Sequence, residues 1–169
     1  NDEELAGALT RAQFEADPRH ANPSAITGNF QLNVKTDRLA TKGVWTPGTD
    51  TRLEFGLSYE DQSLYHPIVD KILVDFDGPG PNPPVEVFSL LKNTDQRTWG
   101  GMVRYNVKRG DHDVLVGLNL ADTHETGGNF RNDGGRRNGQ TGIIDNRSDS
   151  VELFVVDRWK LGADWTLVY

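Results

Sequence analysis

The chain has 169 residues, with 18 Lys and Arg against 25 Asp and Glu, and the resulting net charge of −7 argues against a nucleic-acid surface. It contains no cysteine, which excludes a disulfide framework and a thiolate metal site. A mean hydropathy of −0.59, 18 glycines and 8 prolines point to many turns, and no apolar run approaches the ~20 residues of a membrane-crossing helix, although a transmembrane barrel strand needs only ~9–11 alternating residues.

Residues 1–28 read as a loop carrying one short helix. In the run from Leu9 to Pro18, Thr10 is placed to cap, Gln13 occupies the capping-box position and Pro18 stops the helix. With so few apolar residues, this segment is expected to decorate a loop rather than build a core. The sequence opens at Asn1 without a signal peptide, so a processed or cut N-terminus is expected. From Asn29 the pattern becomes strand-like, with Phe30, Leu32 and Val34 alternating with Gln31, Asn33 and Lys35. Leu39, Thr41, Gly43 and Trp45 follow in the other phase, which predicts a bulge near residues 36–38. Pro47-Gly48-Thr49-Asp50 is a tight turn. Beyond it Leu53, Phe55, Leu57 and Tyr59 share one face, and Arg52, Glu54, Gly56, Ser58 and Glu60 the other.

Residues 63–93 read as a long loop because of their proline density, highest in the run from Gly78 to Pro84. Alternation resumes with Trp99, Val103, Tyr105 and Val107, turns at Gly110-Asp111, and continues with Val114, Val116 and Leu118. A second long loop is expected over 123–147. The chain then ends in a hairpin, with Val151, Leu153 and Val155 before the turn Gly162-Ala163-Asp164 and Trp165, Leu167 and Tyr169 after it. Strands are thus expected near 29–46, 51–62, 97–109, 113–122, 149–161 and from 165 onward, each paired with its sequence neighbours.

The fold class is all-β, an antiparallel up-and-down meander. The long connections fall on one edge and the short turns on the other. One face is apolar (Leu53, Phe55, Leu57, Tyr59, Val103, Tyr105, Val114, Val116, Leu118) and the other polar (Arg52, Glu54, Glu60, Arg104, Asn106). Both features suit part of a transmembrane β-barrel with long extracellular loops and short periplasmic turns. Trp45, Tyr59, Trp99, Trp159 and Trp165 near strand ends suit an interfacial girdle, although strands favour aromatics in any setting. Two other readings stay open: a soluble β-sandwich ligand-binding module, for carbohydrate, whose apolar face packs on a second sheet, and a passive porin-like barrel.

The run from Asp145 to Tyr169, D-N-R-x-D-S-x-E-L-F-x-x-D-R-W-x-L-x-x-x-W-T-L-x-Y, resembles the middle of TonB-dependent outer-membrane receptors for ferric siderophores or ferric citrate. The segments Leu9–Arg19 and Arg52–Glu60 resemble a loop and a strand of the same family. The resemblance implies a barrel of roughly 22 strands with a plugged lumen, in the bacterial outer membrane, energised by TonB through a segment ahead of the plug. Against that pattern this chain offers about six strands, with no plug domain, no TonB-contacting segment and no closing strand, so it is expected to be an internal barrel piece. Its expected partners are an iron–siderophore and outer-membrane lipid, with no nucleic acid.

No catalytic motif occurs, and the reading is a transport and binding protein rather than an enzyme. His20, His66, His112 and His124 each lie in or beside a loop or turn. His124-Glu125 are adjacent, so a strand would point them to opposite faces. Asp75 and Asp77 lack the spacing of a full calcium loop. No metal site and no cofactor are assigned, and the ligand is taken to be a ferric chelate. The candidate contacts lie on the Gly-rich stretch 127–140, where Phe130, Arg131, Asn132, Arg136 and Arg137 supply guanidiniums suited to an anionic ligand. Tyr65 and His66, at the root of the neighbouring loop, are placed to stack on a chelate.

Overall fold

The computed structural model describes residues 2–169. Seven strands form one antiparallel sheet in the order of the sequence: β1 (Asp2–Glu4), β2 (Gln31–Gly48), β3 (Thr51–Val74), β4 (Val85–Arg109), β5 (His112–Asp133), β6 (Arg136–Lys160) and β7 (Thr166–Val168). Every expected strand is present and paired with its neighbours. The sheet is open, with β1 and β7 at its edges.

The expected helix also forms, as α1 (Arg11–Ala16). The Thr10 hydroxyl accepts from the Gln13 N–H at 3.3 Å, and Gln13 Oε1 accepts from the Thr10 N–H at 2.8 Å, which completes the capping box. No residue of α1 is buried, in keeping with a decorating role. A second helix, α2 (Pro23–Thr27), lies where the sequence pattern predicts loop. Its signal is Asn22-Pro23: the Asn22 side chain accepts from the Ser24 N–H at 2.9 Å, and proline at the first helical position needs no N–H partner. Ahead of both helices, β1 pairs Asp2, Glu3 and Glu4 with Asn33, Leu32 and Gln31.

The two long loops require correction. Only residues 75–84 of the expected loop 63–93 are irregular, because β3 runs on to Val74 and β4 begins at Val85. The expected loop 123–147 is a hairpin, in which β5 and β6 are joined by Gly134-Gly135 alone. Both glycines have positive φ (58° and 84°), the requirement of a two-residue type I′ turn. The extensions of β3 and β4 are rich in apolar residues but lack strict alternation and flank prolines, whereas few residues of 123–147 are apolar. Ladder hydrogen bonds between main chains hold a strand whatever its side chains are. Pro67 lies within β3 and is almost wholly buried, so a single proline did not end the strand.

The chain divides into two compact units. Unit 1 comprises residues 1–36, 62–96 and 125–146, and unit 2 comprises 37–61, 97–124 and 147–169. The fully buried side chains Leu91, Pro67 and Asn132, with Ala25 at 4% exposure, lie in unit 1. Burying a side chain such as Leu91 contributes about 1.5–3 kcal/mol. Unit 2 contains no buried apolar side chain. Its alternation is nonetheless regular. Phe55, Leu57, Val103, Tyr105 and Val116 are exposed, as are Leu39, Leu153 and Trp165 at 74%, 74% and 77%. Glu54, Glu60, Arg104 and Asn106 between them are half-buried. Leu53, Tyr59, Val114 and Leu118, expected on the outer face, are half-buried too, and the Tyr59 ring lies 4.5 Å from that of Trp99. Arg52, expected to point inward, is exposed and bonds Glu54 at 2.7 Å.

Candidate functional site

The candidate residues all belong to unit 1, but the fold gives them different tasks. Asn132 is fully buried and ties four segments together. Its Nδ2 donates to the carbonyls of Gly28 (2.8 Å) and Val69 (3.2 Å), its Oδ1 accepts from the Gly135 N–H (2.8 Å), and its own N–H donates to Ser89 Oγ (3.1 Å). An amide with this many bonds and no exposed surface holds the structure and is out of reach of a ligand, which corrects its assignment as a contact residue. Tyr65 is half-buried, and its hydroxyl donates to the Gly135 carbonyl at 2.7 Å. His66 Nδ1 lies 2.5 Å from the Gln31 carbonyl. Tyr65 and His66 therefore brace the hairpin turn and the start of β2.

Beside these braces the backbone comes close to itself. A side chain at Gly135 would run into Asn29, the one non-glycine residue with positive φ (48°) among those described. A Cβ at Gly127 would sit 2.2 Å from the Asn93 carbonyl oxygen, so only glycine allows β4 and β5 to approach there.

The exposed part of the site is the arginines. Arg136 and Arg137 are consecutive in a strand and project to opposite faces; so do Phe130 and Arg131. Arg137 stacks over the Phe130 ring at 5.3 Å. With the Asn93 amide oriented so that its nitrogen donates to the Leu64 carbonyl (3.0 Å), its oxygen accepts from Arg137 Nη1 (3.1 Å). Arg131 lies on the face away from Phe130. There it lines a hollow of about 390 Å³ with Phe88, Leu90, Asn129 and Thr141. The three guanidiniums thus do not converge, contrary to the expectation drawn from a free loop.

Phe88, rather than Tyr65, is the aromatic that lines the hollow with Arg131. Its signal is the apolar run Val85 to Leu91, hidden by the neighbouring prolines. The surrounding ion pairs stiffen the strands. Lys71 contacts Asp133, whose hydrogen bond holds the amine above its usual range. Lys92 meets Glu125 at 2.9 Å, and this bond, helped by Asn146, holds the Glu125 carboxyl below the usual range despite opposing desolvation. Among the described residues, no cluster of three His, Cys, Asp or Glu is close enough to hold a metal ion.

No family model, curated protein or solved structure matches the chain.

Proposed function

We propose that this chain is a segment of an outer-membrane β-barrel receptor of the TonB-dependent type, a transport protein that takes up an iron–siderophore or related metal chelate. The observation that carries this reading is the exposed apolar face of unit 2, alternating along its strands with half-buried polar residues. In water such a face costs free energy and promotes association. In a bilayer the same alternation is the ordinary arrangement of a barrel wall, apolar outward and polar inward. A soluble sandwich would bury this face under a second sheet, whereas the strands here form a single one. Strands of 22–25 residues (β3 to β6) also exceed the ~9–11 needed to cross the hydrocarbon, which leaves the residues of unit 1 to stand in water.

On this reading Arg131, exposed beside its hollow, meets the anionic chelate, and Asn132, Tyr65 and His66 hold the β5–β6 turn in place. The expected location is the bacterial outer membrane, with TonB engaged through a part of the receptor outside this chain. The test expresses the complete coding sequence and measures uptake of a labelled ferric chelate with and without TonB. Uptake that needs TonB supports a receptor, and diffusive uptake without it favours a passive barrel. Replacing Arg131 by alanine is expected to weaken ferric-chelate binding by about tenfold or more at low salt.

A further inference from the structure

The polar face of unit 2 carries a feature that uptake of a chelate at the β5–β6 turn does not use. Arg104 and Lys108 on β4 share that face by even spacing, as do Arg158 and Lys160 on β6. None of these four cations forms a salt bridge among the described residues. This is unusual in a chain whose acids outnumber its bases by 25 to 18. Of the acids that line the same hollows, Glu54 is held by Lys42 and Arg52, each at 2.7 Å, Asp113 accepts from the Asn106 amide at 2.6 Å, and Asp111 lies beside the lysines of the smaller hollow. Arg104 and Arg158 line one hollow of about 530 Å³, and Arg158 also lines a second, of about 260 Å³, with Lys108 and Lys160. The larger hollow falls in the range of small-molecule sites, about 300–1,000 Å³. The Nε of Arg104 is buried there without any hydrogen-bond partner. A planar oxyanion in the hollow would meet guanidiniums from two strands, the group that binds such anions in bidentate geometry.

We infer that the hollow between Arg104 and Arg158 binds a small multivalent oxyanion, of the phosphate or carboxylate class. A solute fits better than a lipid headgroup, because Arg158 projects to the face opposite its neighbour Trp159, away from the exposed apolar side chains. The inference does not depend on the uptake function, since it rests only on the polar face of unit 2.

The test is isothermal titration of the purified full chain in nonionic detergent at low salt, with pyrophosphate and with tricarballylate as probes. Binding of at least one probe is expected, and the tighter of the two identifies the class. Arg158→Gln, an exposed position whose change leaves the sheet intact, is expected to weaken binding about tenfold or more, because a hydrogen bond to a charged group carries at least that factor. Arg158→Lys should recover part of the loss, as a point charge without the fork. Arg19→Ala, an exposed cation of unit 1 with no part in either site, should change nothing. Absence of binding for both anions at millimolar concentration overturns the inference, and so does a wild-type affinity in Arg158→Gln. Arg104→Gln adds a second reading where it folds; where it does not, Arg158→Gln alone decides.

Discussion

The two units solve the problem of a long-stranded sheet in opposite ways. Unit 1 builds a small core: Leu91, Pro67 and Ala25 are buried, and the Asn132 amide ties β3, the β5–β6 turn and the end of α2 together, while Ile26, Phe76 and Ile143 stay exposed. Unit 2 has no buried apolar side chain and presents Leu57, Leu153 and Trp165 at 67%, 74% and 77% exposure. Its one buried charged residue, Asp157, bonds His112 Nδ1 at 2.6 Å and the Tyr169 hydroxyl at 2.9 Å. The difference shows that strand formation and core formation are separate events. A ladder needs only main-chain groups. A core needs somewhere for side chains to go, and unit 2 sends its apolar ones outward.

The largest effect that would break this contrast is loss of the unit 1 hub. Asn132→Ala leaves the carbonyls of Gly28 and Val69 and the N–H of Gly135 without their partner. With ~1–3 kcal/mol for each buried group left unpaired, the expected cost is roughly 4 kcal/mol. Hydrogen exchange should show lost protection near residues 28, 69 and 135 and unchanged protection over 103–118. Uniform loss across both units would mean that they do not unfold separately. Asn132→Asp, which sets a buried carboxylate oxygen against the Gly28 and Val69 carbonyls, should cost at least as much near neutral pH.

Next in size is the outer face. Leu57→Arg should cost ~2–4 kcal/mol in a bilayer if that face meets lipid, and much less in detergent-free water. A spin label at Leu57 should be quenched by a lipid-soluble relaxer, and one at Ser58 should not. Equal quenching of the two would remove the basis for a membrane-facing wall.

A smaller effect separates the arginines. Arg137→Ala removes the stack on Phe130 and the bond to Asn93, a loss of about 0.5–1 kcal/mol from an exposed cation–π contact. It should therefore lower thermal stability slightly, whereas Arg131→Ala, beside an open hollow, should leave the melting temperature unchanged and act only on ligand binding. Equal melting shifts for the two would show that the alternation does not divide their roles.

The smallest is a pH effect at Lys92–Glu125. The folded carboxyl is held below its unfolded value, so its contribution to stability is full above the unfolded value and disappears as pH falls through the folded one. Acid titration of unfolding should be shallower in Glu125→Gln than in the wild type, with the two converging at low pH. The pair is partly exposed, and raised salt should shrink the difference.

Local sequence suffices for the order β2 to β7, the short turns at 49–50, 110–111 and 162–164, the α1 capping box and the two-faced alternation of unit 2, but not for β1. These depend on local spacing: a period of 2, a cap three residues from its partner, a glycine where φ is positive. The behaviour of 63–74, 85–93 and 123–147 depends instead on long-range pairing. Their residues lack an apolar period, and their strands exist because neighbouring main chains pair with them. Once those residues are strand, alternation separates Arg136 from Arg137, and Asn132 is drawn inward by carbonyls from Gly28 and Val69, distant in sequence. No local pattern encodes such partners, because a hydrogen bond between remote segments depends on where the whole chain has brought them.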